Sequence, residues 1–397
     1  MNEIKEIDNK NINLAKPILK VIYVIFITFL CGLSVYFAQY SVLTKSDYFI
    51  ENDKQEIYKN TPFQDRQVWI LYYSSFANIK NDHHWGDWRF HKSEFERSYH
   101  EPPEEIPSRY YPQEGIYSSH NESLIEKHLS LIQSTNIDSI IVPWFGLKRN
   151  DIKLNDNVTG FTDYTMKLLM KHASKYDLKI IPMIPNYEKR NASSVLEDLE
   201  YFEIHYSRNE ATYKCQNNKP LVFIYDIQNF EDAAEVINSK ISSFEFVGSG
   251  IKYDDFLEAF EDGVIGYITF FASEGFTWGS TAENWPQMSK FANQKNILFV
   301  PSVAPGYDDS TINHWNMRYI KPRECSKYYN SRWEKAIKTG TNVIMINSFN
   351  GWKEATNIEP AKNHEKFELN NDNWCNNDPY YYIKVTKEWV NKFKVNQ

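Results

Sequence analysis

The sequence predicts an α/β protein: a (β/α)8 TIM barrel preceded by one N-terminal transmembrane helix and a stem. Three observations predict it. Eight short apolar runs alternate with longer amphipathic stretches along the chain. No run is followed by a glycine-rich phosphate loop of the GxGxxG or GxxxxGKS/T type, which weakens the alternative of a doubly wound open sheet. An uncharged stretch from Val21 to Thr44 precedes them all.

Taken in order, residues 1–20 read as a cytosolic tail, since Lys5, Lys10, Lys16 and Lys20 lie on the side of the apolar run that the positive-inside rule keeps in the cytosol. Residues 21–44, "VIYVIFITFLCGLSVYFAQYSVLT", are long enough to cross a hydrocarbon core of ~30 Å. A cleaved signal peptide has a shorter apolar core and a small-residue cleavage site, whereas this run ends in bulky Tyr40 and Leu43. A buried helix or an uncleaved signal is the alternative. Residues 45–66 are polar and aperiodic and read as a stem; residues 67–397 form the lumenal domain. The sequons at Asn121, Asn157 and Asn191 agree with a lumenal setting. Outside the apolar run stand Cys215, Cys325 and Cys375, an odd number, so at most one bridge forms among them.

The strands are expected in "VWILYY" from Val68, "SIIVPW" from Ser139, "LKIIPMI" from Leu178 and "LVFIYD" from Leu221. Four more follow in "FEFVGSG" from Phe244, "VIGYITFF" from Val264, "ILFVPS" from Ile297 and "NVIMINSF" from Asn342. Nearly continuous apolar character is what parallel strands buried on both faces require. Segments such as "ESLIEKHLSLIQST" supply the helices between them.

The net charge of -8 argues against nucleic acid, whose binding needs clustered Lys and Arg. Aromatic residues make up 16% of the chain, with 27 Tyr and 11 Trp. Part of that excess fills a large core; the rest suits sugars, whose C–H faces stack on rings. In a barrel the chemistry sits at the C-terminal strand ends. There the sequence places Tyr72, Tyr73, Trp144, Asn186, Tyr187, Asp226, Glu274, Tyr307, Asn347 and Glu354. Together they describe a pocket for a hydroxyl-rich ligand. The loop "NDHHWGDWRFH" offers His83, His84, Asp87 and His91 as metal ligands, but without HExxH or paired-Cys spacing it reads better as a substrate loop, with Trp85 in it. No GxSxG elbow is present for a serine nucleophile. No cofactor is expected.

Several long blocks, in order, carry a family resemblance: "PPEEIPSRYYPQEGIYSS", "FFASEGFTWGS" followed by "NW", "PSVAPGY", "KYY" and "SFNGWKEATNIE". From about Val68 to Phe393 the chain resembles the glycoprotein endo-α-1,2-mannosidases, glycoside hydrolase family 99. The resemblance implies a (β/α)8 enzyme, a Golgi type II membrane setting, and N-linked high-mannose glycans as partner. The implied reaction cuts inside glucosylated high-mannose N-glycans with retention of configuration, releasing a glucosyl-mannose fragment. It implies Glu354 as general acid/base, with Tyr73, Trp85, Trp144, Tyr187, Arg190, Asp226, Trp278, Tyr307 and Asn350 around the glycan.

The departures are equally specific. The family pattern Asn-Glu-Trp-His-Glu-Gly becomes Asn350, Gly351, Trp352, Lys353, Glu354 and Ala355. The Glu that takes the proton from the sugar 2-hydroxyl, so that this oxygen attacks the anomeric carbon and forms a 1,2-anhydro sugar, falls on Gly351. Where the family has His-Ile-Glu-Pro-Tyr this chain has Met183, Ile184, Pro185, Asn186 and Tyr187, and an Arg becomes Asn313. Loss of a general base typically costs ~10²–10⁴ in rate, or roughly 3–5 kcal/mol of barrier. Two main readings follow, with a glycosidase of altered linkage or sugar as a third. In one, a weakened glycosidase uses a relocated carboxylate as base, Glu274 first and Glu188 second. In the other, the chain is a lectin-like member that binds glycans without cutting them.

Overall fold

The computed structural model describes residues 65–91, 99–148, 159–250, 252, 254–255 and 263–395. The tail, the apolar run at 21–44, nearly all of the stem and the sequon at Asn157 lie outside the described residues. Among the described residues no helix is long and apolar enough to cross a membrane.

Eight parallel strands form the expected barrel: β1 (Gln67–Leu71), β2 (Ser139–Pro143), β3 (Lys179–Ile184), β4 (Leu221–Ile224), β5 (Glu245–Ser249), β6 (Gly266–Ile268), β7 (Leu298–Val300, resumed at Ser302–Val303) and β8 (Val343–Ile346). Each predicted run supplies one strand. Neighbours pair in chain order, and β1 pairs with both β2 and β8. The ring closes through β7. Its first half pairs with β6 and its second with β8, where Ser302 lies opposite Met345. Pro301 separates the halves because it has no N–H to give the ladder, while its carbonyl still accepts from Met345 N at 3.0 Å.

Strand parity divides the core in two. Trp69, Leu71, Ile141, Ile181, Met183, Phe223, Val247, Ile268, Val300 and Met345 fill the barrel interior. The alternating set, including Val68, Ile70, Tyr72, Ile140, Val142, Ile180, Val222 and Ile344, packs outward under the helices. Those helices are α1 (Glu122–Ser134), α2 (Phe161–His172), α3 (Ala192–His205), α4 (Ala233–Lys240), α5 (Trp285–Lys295), α6 (Lys327–Lys338) and α7 (Tyr381–Val395). In α1, Leu124, Ile125, His128, Leu129 and Ile132 form the buried stripe, and Asn121 caps the N-terminus by accepting from Leu124 N at 3.3 Å. Asn191 and Ser194 form a reciprocal capping box at α3. Two sequon asparagines are therefore helix caps.

Of the three cysteines among the described residues, Cys325 and Cys375 form a disulfide and Cys215 is free. Burial pushes the Cys215 thiol up to about 12, so it is unreactive at neutral pH.

Candidate active site

A cavity of about 410 Å³ opens at the C-terminal mouth of the barrel. Its floor follows from parity. Continuing the inward-facing rows beyond the strand ends gives Tyr73 after Leu71, Pro185 after Met183, Tyr225 after Phe223 and Phe270 after Ile268, and all of these line the cavity. The β8 loop contributes Asn350, Gly351, Trp352, Lys353 and Glu354; the β1 loop contributes Ser75, Gly86 and Asp87.

The β8 loop is fixed from several sides. Asn350 is fully buried and grips the Tyr73 backbone, its Oδ1 accepting from Tyr73 N at 2.7 Å and its Nδ2 donating to Tyr73 O at 2.9 Å. Trp352 Nε1 donates to Glu359 Oε2 at 2.9 Å. That buried carboxylate also accepts from Tyr117 at 2.8 Å and faces His128 Nε2 at 3.1 Å, while His128 Nδ1 meets the Tyr72 hydroxyl at 3.0 Å. Beneath the loop Arg323 donates to the carbonyls of Ala355 at 3.0 Å and Asn357 at 2.8 Å. Its guanidinium is enclosed by the rings of Tyr110, Trp374 and Tyr382.

Glu354 is partly open to the cavity. Burial and the nearby Asp309 carboxylate push its carboxyl up to about 7, against the opposing pull of Lys353 and the Tyr73 hydroxyl. Asp309 sits behind it, 2% exposed, its Oδ2 accepting from Asn313 Nδ2 at 2.8 Å and Asn316 Nδ2 at 3.0 Å. Burial and the charge of Glu354 hold the phenols of Tyr73, Tyr225 and Tyr307 above their ordinary value, so all three stay hydrogen-bond donors. The result is a carboxyl able to give a proton near neutrality, ringed by hydroxyls and aromatic faces.

Position 351 is not an empty place waiting for a carboxylate. A Cβ there would lie 2.2 Å from Thr356 Oγ1, 2.4 Å from Ser348 Oγ and 3.2 Å from Tyr73 Cε2. The two hydroxyls bond each other at 2.9 Å, and Ser348 Oγ accepts from Gly351 N at 2.7 Å. The loop packs closely around the glycine.

Of the residues singled out from sequence, Tyr73, Asn186, Asn350 and Glu354 line the cavity and Tyr307 stands beside Glu354. Trp144 does not reach it. It faces outward by parity, is fully buried, and donates from Nε1 to Asp163 Oδ1 on α2 at 3.2 Å. Glu274 is likewise elsewhere, ion-paired with the buried Arg332 guanidinium and accepting from Ala282 N at 2.9 Å. Glu188, the second substitute, has a side chain 90% exposed to solvent. Arg190 is a brace between the β3 and β4 loops, donating to Tyr225 O at 2.7 Å and Asp226 O at 2.9 Å over the Phe230 ring. Asp226 accepts from Asn186 Nδ2 at 3.0 Å and Asn229 Nδ2 at 2.8 Å. Tyr187 bonds Ser194 at 2.9 Å at the head of α3. Trp85 and Trp278 are half-buried against the core and outside the cavity lining. Tyr225 and Phe270 were missed, although counting two residues past the last inward strand position finds both. The Arg323 cage and the Glu359–His128 network had no local signal. His84 turns Nδ1 to Asp82 O at 2.7 Å, and no group of three His, Cys, Asp or Glu able to hold a metal occurs among the described residues.

A closed (β/α)8 barrel with a near-neutral carboxyl in an aromatic, hydroxyl-lined mouth has the form of a barrel glycoside hydrolase. The comparisons agree. The Glycosyl hydrolase family 99 profile matches residues 64–395, and the chain belongs to that family. It is 29% identical over 351 residues to the rat glycoprotein endo-alpha-1,2-mannosidase, covering 82% of this chain and 74% of the rat protein. It is 26% identical over 367 residues to the human glycoprotein endo-alpha-1,2-mannosidase-like protein, covering 84% and 78%. The solved structure of the family 99 endo-alpha-mannosidase from Bacteroides thetaiotaomicron superposes with a TM-score of 0.72 at 29% identity, covering 84% of this chain and 99% of that one.

Proposed function

We propose that this chain is an active, weakened endo-α-1,2-mannosidase-type glycosidase that trims glucosylated high-mannose N-glycans with retention of configuration. The observation that carries the reading is Glu354, a carboxyl pushed up to about 7 in the cavity at the barrel mouth, on a loop fixed by Asn350, Trp352 and Arg323. In this reading Glu354 protonates the leaving oxygen as the sugar 2-oxygen attacks the anomeric carbon, then takes a proton from the water that opens the 1,2-anhydro sugar. Tyr73, Tyr225 and Tyr307 remain protonated and supply donors to sugar oxygens. The uncharged run at 21–44, preceded by lysines, supports a type II anchor in the Golgi membrane. A disulfide in the barrel domain supports a lumenal setting for it.

Incubating the soluble part, from about Thr61 onward, with a glucosylated high-mannose N-glycan should release a glucosyl-mannose disaccharide. Glu354→Gln should lower that release by ~10²-fold or more, because an amide has no readily lost proton for the leaving oxygen. One observation favours the rival, a binding module: Ser348 and Thr356 occupy the space a Cβ at position 351 would need. Glycan binding with no released disaccharide would establish that rival and end the catalytic reading.

A further inference from the structure

Glycoside hydrolysis generally uses two carboxyl groups, and position 351 provides none. The candidates can be separated by where they lie. Glu274 is bound to Arg332, Glu188 is out in solvent, and Asp309 lies behind Glu354 without lining the cavity. Among the residues that line it, the carboxylates are Asp87 and Glu354.

Asp87 is held as a preset group. Its N–H donates to Ser75 O at 3.0 Å, and Gly86 N donates to Ala77 O at 3.0 Å, which clamps the turn against the chain leaving β1. That clamp leaves no room at position 86, where a Cβ would lie 2.3 Å from Ser75 O, so only glycine fits before Asp87. The side chain is fixed too. Oδ2 accepts from the Ser75 hydroxyl, and Oδ1 meets Lys353 Nζ at 2.5 Å. Lys353 stands between Gly351 and Glu354 in the sequence, so this ion pair ties Asp87 to the turn that carries the acid. Each carboxylate oxygen keeps a second lone pair for a substrate hydroxyl, and the side chain remains 28% exposed.

We propose that Asp87 is the base of this site, taking the role that position 351 does not fill, an assignment that rests on the glycosidase reading above. Asp87 removes the proton from the hydroxyl next to the anomeric carbon. That oxygen then forms its bond to the anomeric carbon, the glycosidic bond breaks, and Glu354 gives its proton to the leaving oxygen. In the second half water adds to the anomeric carbon and loses a proton to Glu354, while Asp87 returns its proton to the neighbouring oxygen. Both groups end as they began. No oxidant, metal or further reactant is required.

The test compares two substrates: the glucosylated high-mannose glycan, and a matching α-glycosyl fluoride whose leaving group needs no proton. Asp87→Asn should lower kcat ~10²–10⁴-fold on both, with KM little changed. Glu354→Gln should fail on the glycan but give a burst of fluoride release. Asp87→Ala with added formate should recover part of the lost kcat, a rescue that a merely structural role does not predict. An Asp87→Asn enzyme within about threefold of wild-type kcat would overturn the assignment, since base removal costs far more than that. So would a rise in KM alone, or an Asp87→Ala enzyme that is folded and not rescued. If the wild-type chain cuts neither substrate, the glycosidase reading falls and this assignment with it; if wild type is active and Asp87→Asn is unimpaired, only this assignment falls.

Discussion

Burial of much of its side chain and the neighbouring Asp309 carboxylate push the Glu354 carboxyl up to about 7, and the same environment makes it costly to ionise. The folded protein binds its proton more tightly than the unfolded chain does. The stability contributed by the neutral carboxyl is therefore fully present below the ordinary value of 4.5, declines as pH rises from there, and is gone above about 7. Glu354→Gln, which cannot ionise, should thus be more stable than wild type at pH 8 by up to about 3 kcal/mol, with the gap closing by pH 4. Denaturant unfolding at the two pH values checks this, and an equal gap at both would remove titration as its cause. Glu354 was legible because the motif around it is long. Asp87 was visible only as one acid in a histidine-rich loop, since what places it in the cavity is the fit of Gly86 against Ser75, a contact between segments that no spacing rule reports.

At the scale of elements, all eight strands were legible because buried parallel strands write themselves as continuous apolar runs. Which face each end residue takes was not read, and this decided the site. Trp144 follows Pro143 and turns outward onto α2, whereas Tyr225 follows Ile224 and turns inward. Beyond the strands the loops hold unusual backbone. Asp226, Phe270 and Ala355 all have positive φ, at 54°, 48° and 51°. For an L-residue with a Cβ that conformation costs roughly 1–2 kcal/mol. Ala355 directly follows Glu354 and stands where the family pattern has glycine. Ala355→Gly should therefore stabilise the folded chain by about 1 kcal/mol, after the extra backbone entropy of glycine is subtracted. A thermal shift upward with unchanged kcat is the expected result. A fall in both would mean the Ala355 methyl, which is buried, matters more through packing than its backbone costs.

For the whole molecule, the bridge between Cys325 and Cys375 joins two regions that sequence reading left unconnected. It closes a loop with a sequence separation of 50. Inside or beside that loop lie Arg323, Trp374 and Tyr382, the cation and two of the rings that hold the carbonyls of Ala355 and Asn357 in place. The bridge thus constrains the unfolded chain and also secures the support of the turn that carries Glu354. On loop entropy alone its removal should cost about 4 kcal/mol, a ceiling that native strain or residual structure lowers. Cys215 is half-buried with its thiol pushed up to about 12 and is a poor exchange partner, so among the described residues reduction should act at this one bond. Protein treated with a strong dithiol reductant, or a Cys325→Ser/Cys375→Ser variant, should melt several degrees lower. It should also lose kcat more than glycan affinity, because Arg323 supports the turn of Glu354 rather than the tyrosines of the cavity floor. Equal melting temperatures would show the bridge to be energetically idle, and a loss of affinity with kcat intact would detach the Arg323 cage from catalysis.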